Sequence, residues 1–202
     1  MDLIDAIYQR RSIKHYDKNY VLTNSEEQKL LEATIQAPSS FNIQHWRFVI
    51  LRDLALRAKI REEFAGGQAQ VTDASLLVLF TADTKAWQEG AEKNWENTPR
   101  EVAESMVNGM VPFHEHRGEL FQREEAQRSI GMVMQTLMLA ALDLGYQSCP
   151  IVGFNLDGVA QLINLPADHV MGPMVAIGKG LKEPWPKPNR LSLADVVYEN
   201  TF

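Results

Sequence analysis

The residues that could do chemistry fall in widely separated stretches. Near the N-terminus Arg10, Arg11, Ser12 and Lys14 crowd into one short segment, and Lys187 and Arg190 lie far along the chain. A phosphate needs cations and hydrogen-bond donors brought together, and guanidinium, ammonium and hydroxyl groups supply both. Taken alone, the same residues also describe a solvated helix end. A second stretch, Pro38 to Phe48, reads Pro-Ser-Ser-Phe-Asn-Ile-Gln-His-Trp-Arg-Phe. It sets small hydroxyls, two amides and aromatics between a helical pattern and an apolar run, the composition of a lined pocket rather than a linker.

Other candidate motifs are incomplete. Gly178-Lys179-Gly180 begins like a dinucleotide fingerprint, but the third glycine is absent and too little chain follows for a βαβ unit. His114 and His116 flank Glu115 without a further Cys or His cluster to complete a metal site, so a surface or lid role is expected and no metal. Cys149 lies in an apolar segment with no local histidine, which suits a small buried thiol better than a nucleophile. There is no Gly-x-Ser-x-Gly elbow and no P-loop.

The elements that must position these residues follow from periodicity. Leu3, Ile4 and Ile7 repeat at helical spacing and end in the cationic turn. Thr23 and Glu26 have the capping-box spacing, and Leu30, Leu31, Thr34 and Ile35 carry a helix toward the stop at Pro38. Continuous apolar runs at 46–51, 75–80 and 173–177 suit strands covered on both faces, and Leu56, Ile60 and Phe64 mark a helix over 54–64. Residues 84–118 turn polar and irregular and read as a helical excursion. The pattern from Glu119 to Leu144 is the longest helix, with a charged first half and an apolar second half that needs burial in the core or against a second subunit. After Gly180, Pro184, Pro186 and Pro188 introduce a tail, 181–202, that cannot fold alone. Strands alternating with helices indicate an α/β or α+β domain spanning 1–202.

Composition narrows the function classes. With 202 residues, 45% of them hydrophobic and 23% charged, the chain can bury a core, and a disordered or collagen-like chain is excluded. A net charge of −6 argues against a nucleic-acid partner, so any phosphate site is local. The apolar stretch from Ile130 to Leu142 is too short for the ~20 residues that span a bilayer, so no membrane association is expected. One cysteine and an N-terminus without a signal-peptide pattern make a reducing cytoplasm the expected location.

On four ordered segments the chain resembles the FMN-dependent nitroreductases. Their N-terminal pattern Arg-Arg-Ser-x-Arg/Lys-x-Phe/Tyr is matched from Arg10 to Tyr16. Their loop Pro-Ser-Ser-x-Asn-x-Gln-Pro-Trp-x-Phe is matched from Pro38 to Phe48, except that His45 replaces the second proline. Ser148 to Phe154 is similar to the segment that faces the flavin N5 and O4, and Arg190 in Pro-Asn-Arg-Leu occupies the place of a late phosphate-binding residue.

The resemblance implies an α+β three-layer sandwich with a mostly antiparallel central sheet between helices. It also implies an intertwined homodimer with FMN at the interface and the 181–202 segment lying over the partner. Arg10, Arg11, Ser12, Lys14 and Arg190 would hold the chain's own flavin, Lys14 tuning its potential. Pro38, Ser39, Ser40 and Asn42 would serve the flavin of the opposite subunit. Pro150, Ile151, Val152 and Gly153 would approach the flavin through the backbone, with Gln70, or alternatively Gln68, at its pyrimidine edge. Phe113 and Phe121 are candidates for stacking on a small aromatic acceptor. The implied activity is reduction of nitroaromatics or quinones with NADH or NADPH, in two-electron ping-pong steps carried by flavin rather than by a protein nucleophile. Alternatives within the fold are another acceptor (an enal, free flavin or a halogenated aromatic) or a flavin-binding protein without turnover.

Overall fold

The computed structural model describes residues 2–88 and 90–202. Helix α1 (Leu3–Gln9) starts where the Asp2 carboxylate accepts the Ile4 N–H at 2.9 Å. Only Ala6 of this helix is buried, and Leu3, Ile4 and Ile7 stay exposed in the single chain. Helix α2 (Asn24–Thr34) opens on the expected capping box. Thr23 Oγ1 accepts the Glu26 N–H at 3.2 Å, and the Glu26 carboxylate accepts the Thr23 N–H at 2.8 Å. The helix ends ahead of Pro38, with Leu30 and Thr34 buried.

Four strands, β1 (Trp46–Ile50), β2 (Leu76–Asp83), β3 (Gln147–Ile151) and β4 (His169–Gly178), form one sheet in the order β1-β2-β4-β3 with every pairing antiparallel. Side chains alternate along β2. Leu76, Val78 and Phe80 enter one core with Leu30 of α2 and with Ala126, Ile130, Val133 and Leu137. Leu77 and Leu79 enter the other, with Ile60, Val71, Cys149 and Val159. The second face is covered by α3 (Leu54–Lys59), which runs on through a π-helical turn to Phe64, by α4 (Gln70–Asp73) and by α6 (Leu156–Leu162). Helices above and below one antiparallel sheet make the expected α+β layering.

Helix α5 (Arg100–Asp143) supplies the residues from Ala126 onward, and the apolar half of the long helix is therefore buried in the chain's own core. Its approach to the sheet is close: a Cβ on Gly172 of β4 would lie 2.9 Å from Ile130 and 3.0 Å from the Phe80 carbonyl. The later part of the 84–118 excursion, from Arg100 on, and the long helix turn out to be one 44-residue element bent at Gly118, whose φ of 75° and ψ of −180° interrupt the helical path. Residues 100–117 thus form an arm ahead of the core half, preceded by a short 3₁₀ turn at Ala91–Trp95. Strand β3 is the element that periodicity missed. It is a short edge strand beginning with Gln147 and Ser148 and containing Pro150, a residue tolerated at a sheet edge because it has no N–H to donate. The tail carries only α7 (Leu193–Val196) and is exposed throughout that helix. Among the described residues no helix is long and apolar enough to cross a membrane.

Candidate functional site

The cationic turn is built by the end of α1. Arg11 Nη1 donates to the Tyr8, Gln9 and Arg10 carbonyls at 2.7, 3.0 and 3.1 Å, and Lys187 Nζ donates to the Ile7 and Tyr8 carbonyls at 3.1 Å each. Two cations therefore satisfy the carbonyl end of the helix and complement its dipole. Arg10 is left with a different task. Its Nη1 is buried and has no hydrogen-bond partner among the described residues. The next residues join the sheet edge: Ser12 bridges Ser148, and the Ile13 N–H donates to the Ser148 carbonyl at 3.1 Å.

Arg10, Arg11, Ser12, Lys14 and Arg190 converge on a cavity of about 810 Å³, also lined by Lys182, Trp185 and Lys187. The volume is in the range of sites for cofactors. Positive charge there is in surplus. Desolvation, followed by repulsion from Arg11, Arg190 and Arg10, pushes the Lys187 ammonium below its ordinary pKa. Burial raises the Cys149 thiol, and Lys14 and Arg10 oppose that rise, placing both cations near β3. A buried guanidinium donor without an acceptor among the described residues, on a side chain that lines a cavity rich in cations, fits a phosphate-bearing group.

The turn after β3 is tied to the segment before β2. Gln68 Nε2 donates to the Gly153 carbonyl at 2.9 Å, and Gln70 Nε2 donates to Gln68 Oε1 at 2.9 Å. Gln70 is buried and Val152 is 73% exposed. The buried Arg57 guanidinium anchors the same region, donating from Nε to the Val71 carbonyl at 2.6 Å and from Nη2 to the Ala74 carbonyl at 2.5 Å. The pattern that describes the nitroreductase family matches residues 7–179.

This chain belongs to the nitroreductase family. The Synechocystis protein DrgA is 59% identical over 89% of this chain and 84% of its own length. A Bacillus subtilis protein named as an NAD(P)H nitroreductase, MhqN, is 30% identical over 86% of both chains. Among solved structures, a nitroreductase from Exiguobacterium sibiricum in complex with FMN aligns with a TM-score of 0.90 at 27% identity, covering 99% of this chain and 98% of that one.

In this member of the family the loop after α2 takes no part in the cationic cavity of its own chain. Ser39 Oγ accepts the Gln44 N–H at 2.9 Å, Asn42 Nδ2 donates to the Asn94 carbonyl at 2.8 Å, and Asn94 Nδ2 returns a bond to the Asn42 carbonyl at 3.1 Å. Phe41, Asn42 and Gln44 have φ of 50°, 52° and 56°. Asparagine tolerates that left-handed region, whereas Phe41 and Gln44 are strained there, a cost that surrounding contacts must offset. Pro38 is exposed beside them, and Ser40 opens the 3₁₀ turn Ser40–Asn42.

Phe113 and Phe121 meet edge to face at 5.4 Å across the bend in α5, and Phe41 packs on Phe113 at 5.4 Å. The Arg117 guanidinium lies 5.0 and 5.2 Å from the two α5 rings. His114 and His116 form no pair, because residues two apart on a helix do not face each other: His114 is fully buried and His116 exposed. His114 stacks on Trp87 at 5.4 Å. The burial of His114, Trp87 and His45 escaped the sequence reading, since each lies in a segment whose local pattern is polar.

Proposed function

We propose that the protein is an FMN-dependent NAD(P)H oxidoreductase acting on small aromatic acceptors such as nitroaromatics or quinones. The buried Arg10 Nη1, unpartnered among the described residues, carries this reading, because a phosphate supplies the acceptor that those residues do not. Family membership, the FMN in the Exiguobacterium structure and the nicotinamide nucleotide in the name of MhqN support it.

Arg10, Ser12 and Arg190 would hold the phosphate and ribityl chain, with Arg11 and Lys187 fixing the turn that presents them. Pro150 to Gly153 would meet the ring system through the backbone, held in place by Gln68 with Gln70 behind it. Bound FMN supplies two-electron exchange between a reduced nicotinamide and the acceptor. The chain's own part is positioning and electrostatics. Lys14 would place a fixed positive charge near the flavin, and Phe113 and Phe121 would offer aromatic edges to the acceptor.

The functional unit in this reading is a homodimer with the flavin at its interface. Three features support that arrangement. The Pro38–Phe48 loop stands apart from the cationic cavity of its own chain, α1 presents Leu3, Ile4 and Tyr8 uncovered, and the tail exposes Leu191, Val197, Tyr198 and Phe202. Pro38, Ser39, Ser40 and Asn42 would then reach the partner's flavin. A monomer that retained FMN tightly would contradict this assembly.

The reading is tested by purifying the protein, recording its flavin spectrum and adding NADH or NADPH without air. Bleaching with at least one nucleotide and reoxidation by a nitroaromatic or quinone is expected; flavin that stays oxidised with both removes the reductase reading. Lys14→Ala should lower the midpoint potential of the bound flavin by about 20–40 mV, because losing one nearby charge of roughly 1–2 kcal/mol destabilises the reduced form of a two-electron couple. Spectroelectrochemical titration checks this, and an unchanged potential would mean that Lys14 points elsewhere.

A further inference from the structure

Two paired strands bring an imidazole and two carboxylates together at one end of the sheet. Asp83 closes β2, His169 opens β4, and the antiparallel register sets them directly opposite each other. Opposed residues on such a pair share a face, with Cβ atoms about 5 Å apart. Asp168, in the turn just before β4, completes the group. One ligand atom from each of Asp83, Asp168 and His169 lies within 4.8 Å of the other two. None of the three lines the cationic cavity.

The backbone beneath the group is tied on both sides. Thr84 donates twice to the Asp168 carbonyl, from its N–H at 2.8 Å and from Oγ1 at 2.7 Å. Asp83 Oδ1 accepts the Lys85 N–H at 2.8 Å, which orients the carboxylate and leaves further lone pairs on both of its oxygens. The His169 ring is largely buried, whereas the Asp168 carboxylate is half exposed, so the group is anchored within and open to water. His169 Nδ1 lies 2.8 Å from Asp168 Oδ1, close to the roughly 3 Å that separates neighbouring ligands on an ion bound at ~2.1 Å. Two cations stand nearby. Lys85 Nζ is drawn away to Gln122 Oε1 at 2.9 Å, although its charge still bears on Asp168. Arg47 Nη2 meets Asp83 Oδ2 at 3.3 Å, a long contact from a half-exposed side chain.

We propose that Asp83, Asp168 and His169 form a site for one divalent transition-metal ion of the zinc class, the metal replacing the proton held between His169 Nδ1 and Asp168 Oδ1. In the neutral ring that hydrogen sits on Nδ1, because the carboxylate only accepts. When the ion binds Nδ1, the ring carries its hydrogen on Nε2 instead. The donor set selects the ion. Zinc takes nitrogen and oxygen ligands together and needs only four, so three side chains and a water suffice. Magnesium and calcium require six or more oxygens, and the imidazole in place of one of these disfavours them. A bound ion would staple the end of β2 to the start of β4 where the chain leaves the sheet toward the α5 arm.

The site is tested on the purified protein with ZnCl₂ as the probe and MgCl₂ and CaCl₂ beside it. Calorimetry should show one Zn²⁺ bound per chain with a dissociation constant below about 100 µM, and Mg²⁺ and Ca²⁺ at least about tenfold weaker. His169→Ala and Asp83→Asn should each weaken Zn²⁺ binding by about tenfold or more. With ¹⁵N-labelled histidine, the His169 signals should pass from the Nδ1–H to the Nε2–H tautomer as Zn²⁺ is added. No Zn²⁺ binding below about 1 mM, a preference for Mg²⁺ or Ca²⁺, or His169 signals that stay unchanged would overturn the proposal. Binding that survives both substitutions would mark an adventitious ion only and overturn it equally. The nitrogen spectra of the unmodified protein decide the matter even if a variant fails to fold, and neither measurement depends on flavin or turnover.

Discussion

Arg10→Ala is expected to weaken FMN binding by about 10- to 100-fold, the ~1.5–3 kcal/mol of a charge-assisted bond to phosphate, while leaving the apoprotein as stable as before or slightly more so. The asymmetry follows from the orphaned Nη1. Among the described residues this donor is buried with no partner, so its removal from the apoprotein relieves a desolvation penalty rather than deleting a contact within the chain. Arg11→Ala should behave in the opposite way, because Arg11 Nη1 holds three carbonyls at the end of α1. Its loss would loosen the turn and cost stability in the empty protein. Fluorescence titration of FMN with apoprotein, beside urea denaturation of the same samples, separates the two variants. Unchanged FMN affinity in Arg10→Ala would remove Arg10 from the phosphate role.

How much of this arrangement could be read in the chain depends on how locally each feature is encoded. The α2 capping box is complete within residues 23–26, and β1, β2 and β4 announce themselves as apolar runs, although β1 is itself an edge strand in which only Trp46 is buried. Strand β3, the other edge strand, gives no such signal because it begins with the polar Gln147 and Ser148 and contains Pro150, a residue that argues against a strand except at an edge. The arm of α5 was obscured by punctuation residues acting against type. Pro112 sits inside the helix without ending it, and Gly118 makes the bend.

The site divides in the same manner. Arg10, Ser12 and Lys14 alternate within one short segment and match a family pattern, but what separates Arg10 from Arg11 is the position of the α1 carbonyls, which only the fold supplies. Lys187 could be listed as a cation from sequence; its attachment to carbonyls of α1 joins residues 180 positions apart. Likewise, the sequence favours Gln70 over Gln68 only narrowly for the pyrimidine edge, and the fold orders them in series, with Gln68 on the Gly153 turn and Gln70 behind it.

The protein should lose about 3 kcal/mol of stability between pH 6.5 and pH 4 through His45 alone. Burial, reinforced by His114, pulls the folded imidazole down to about 4 from an ordinary value near 6.5. Because the folded pKa is depressed, the unfolded chain takes up a proton in this window that the native ring refuses. Native stability is therefore full above about pH 6.5, falls by at most ~1.4 kcal/mol per pH unit on acidification and levels off below about pH 4, where both states are charged. The carboxylates act lower on the scale. Hydrogen bonds from Tyr146 and Thr23 hold Glu26 down to about 2, so its contribution is present above the ordinary carboxylate range and is lost only as the pH falls toward that value. The acid profile should consequently have two stages, and His45→Gln should abolish the upper one while sparing the lower. Urea denaturation at pH 7, 6, 5 and 4 measures the upper stage directly, and equal losses in wild type and His45→Gln over that range would show that His45 is not the group responsible.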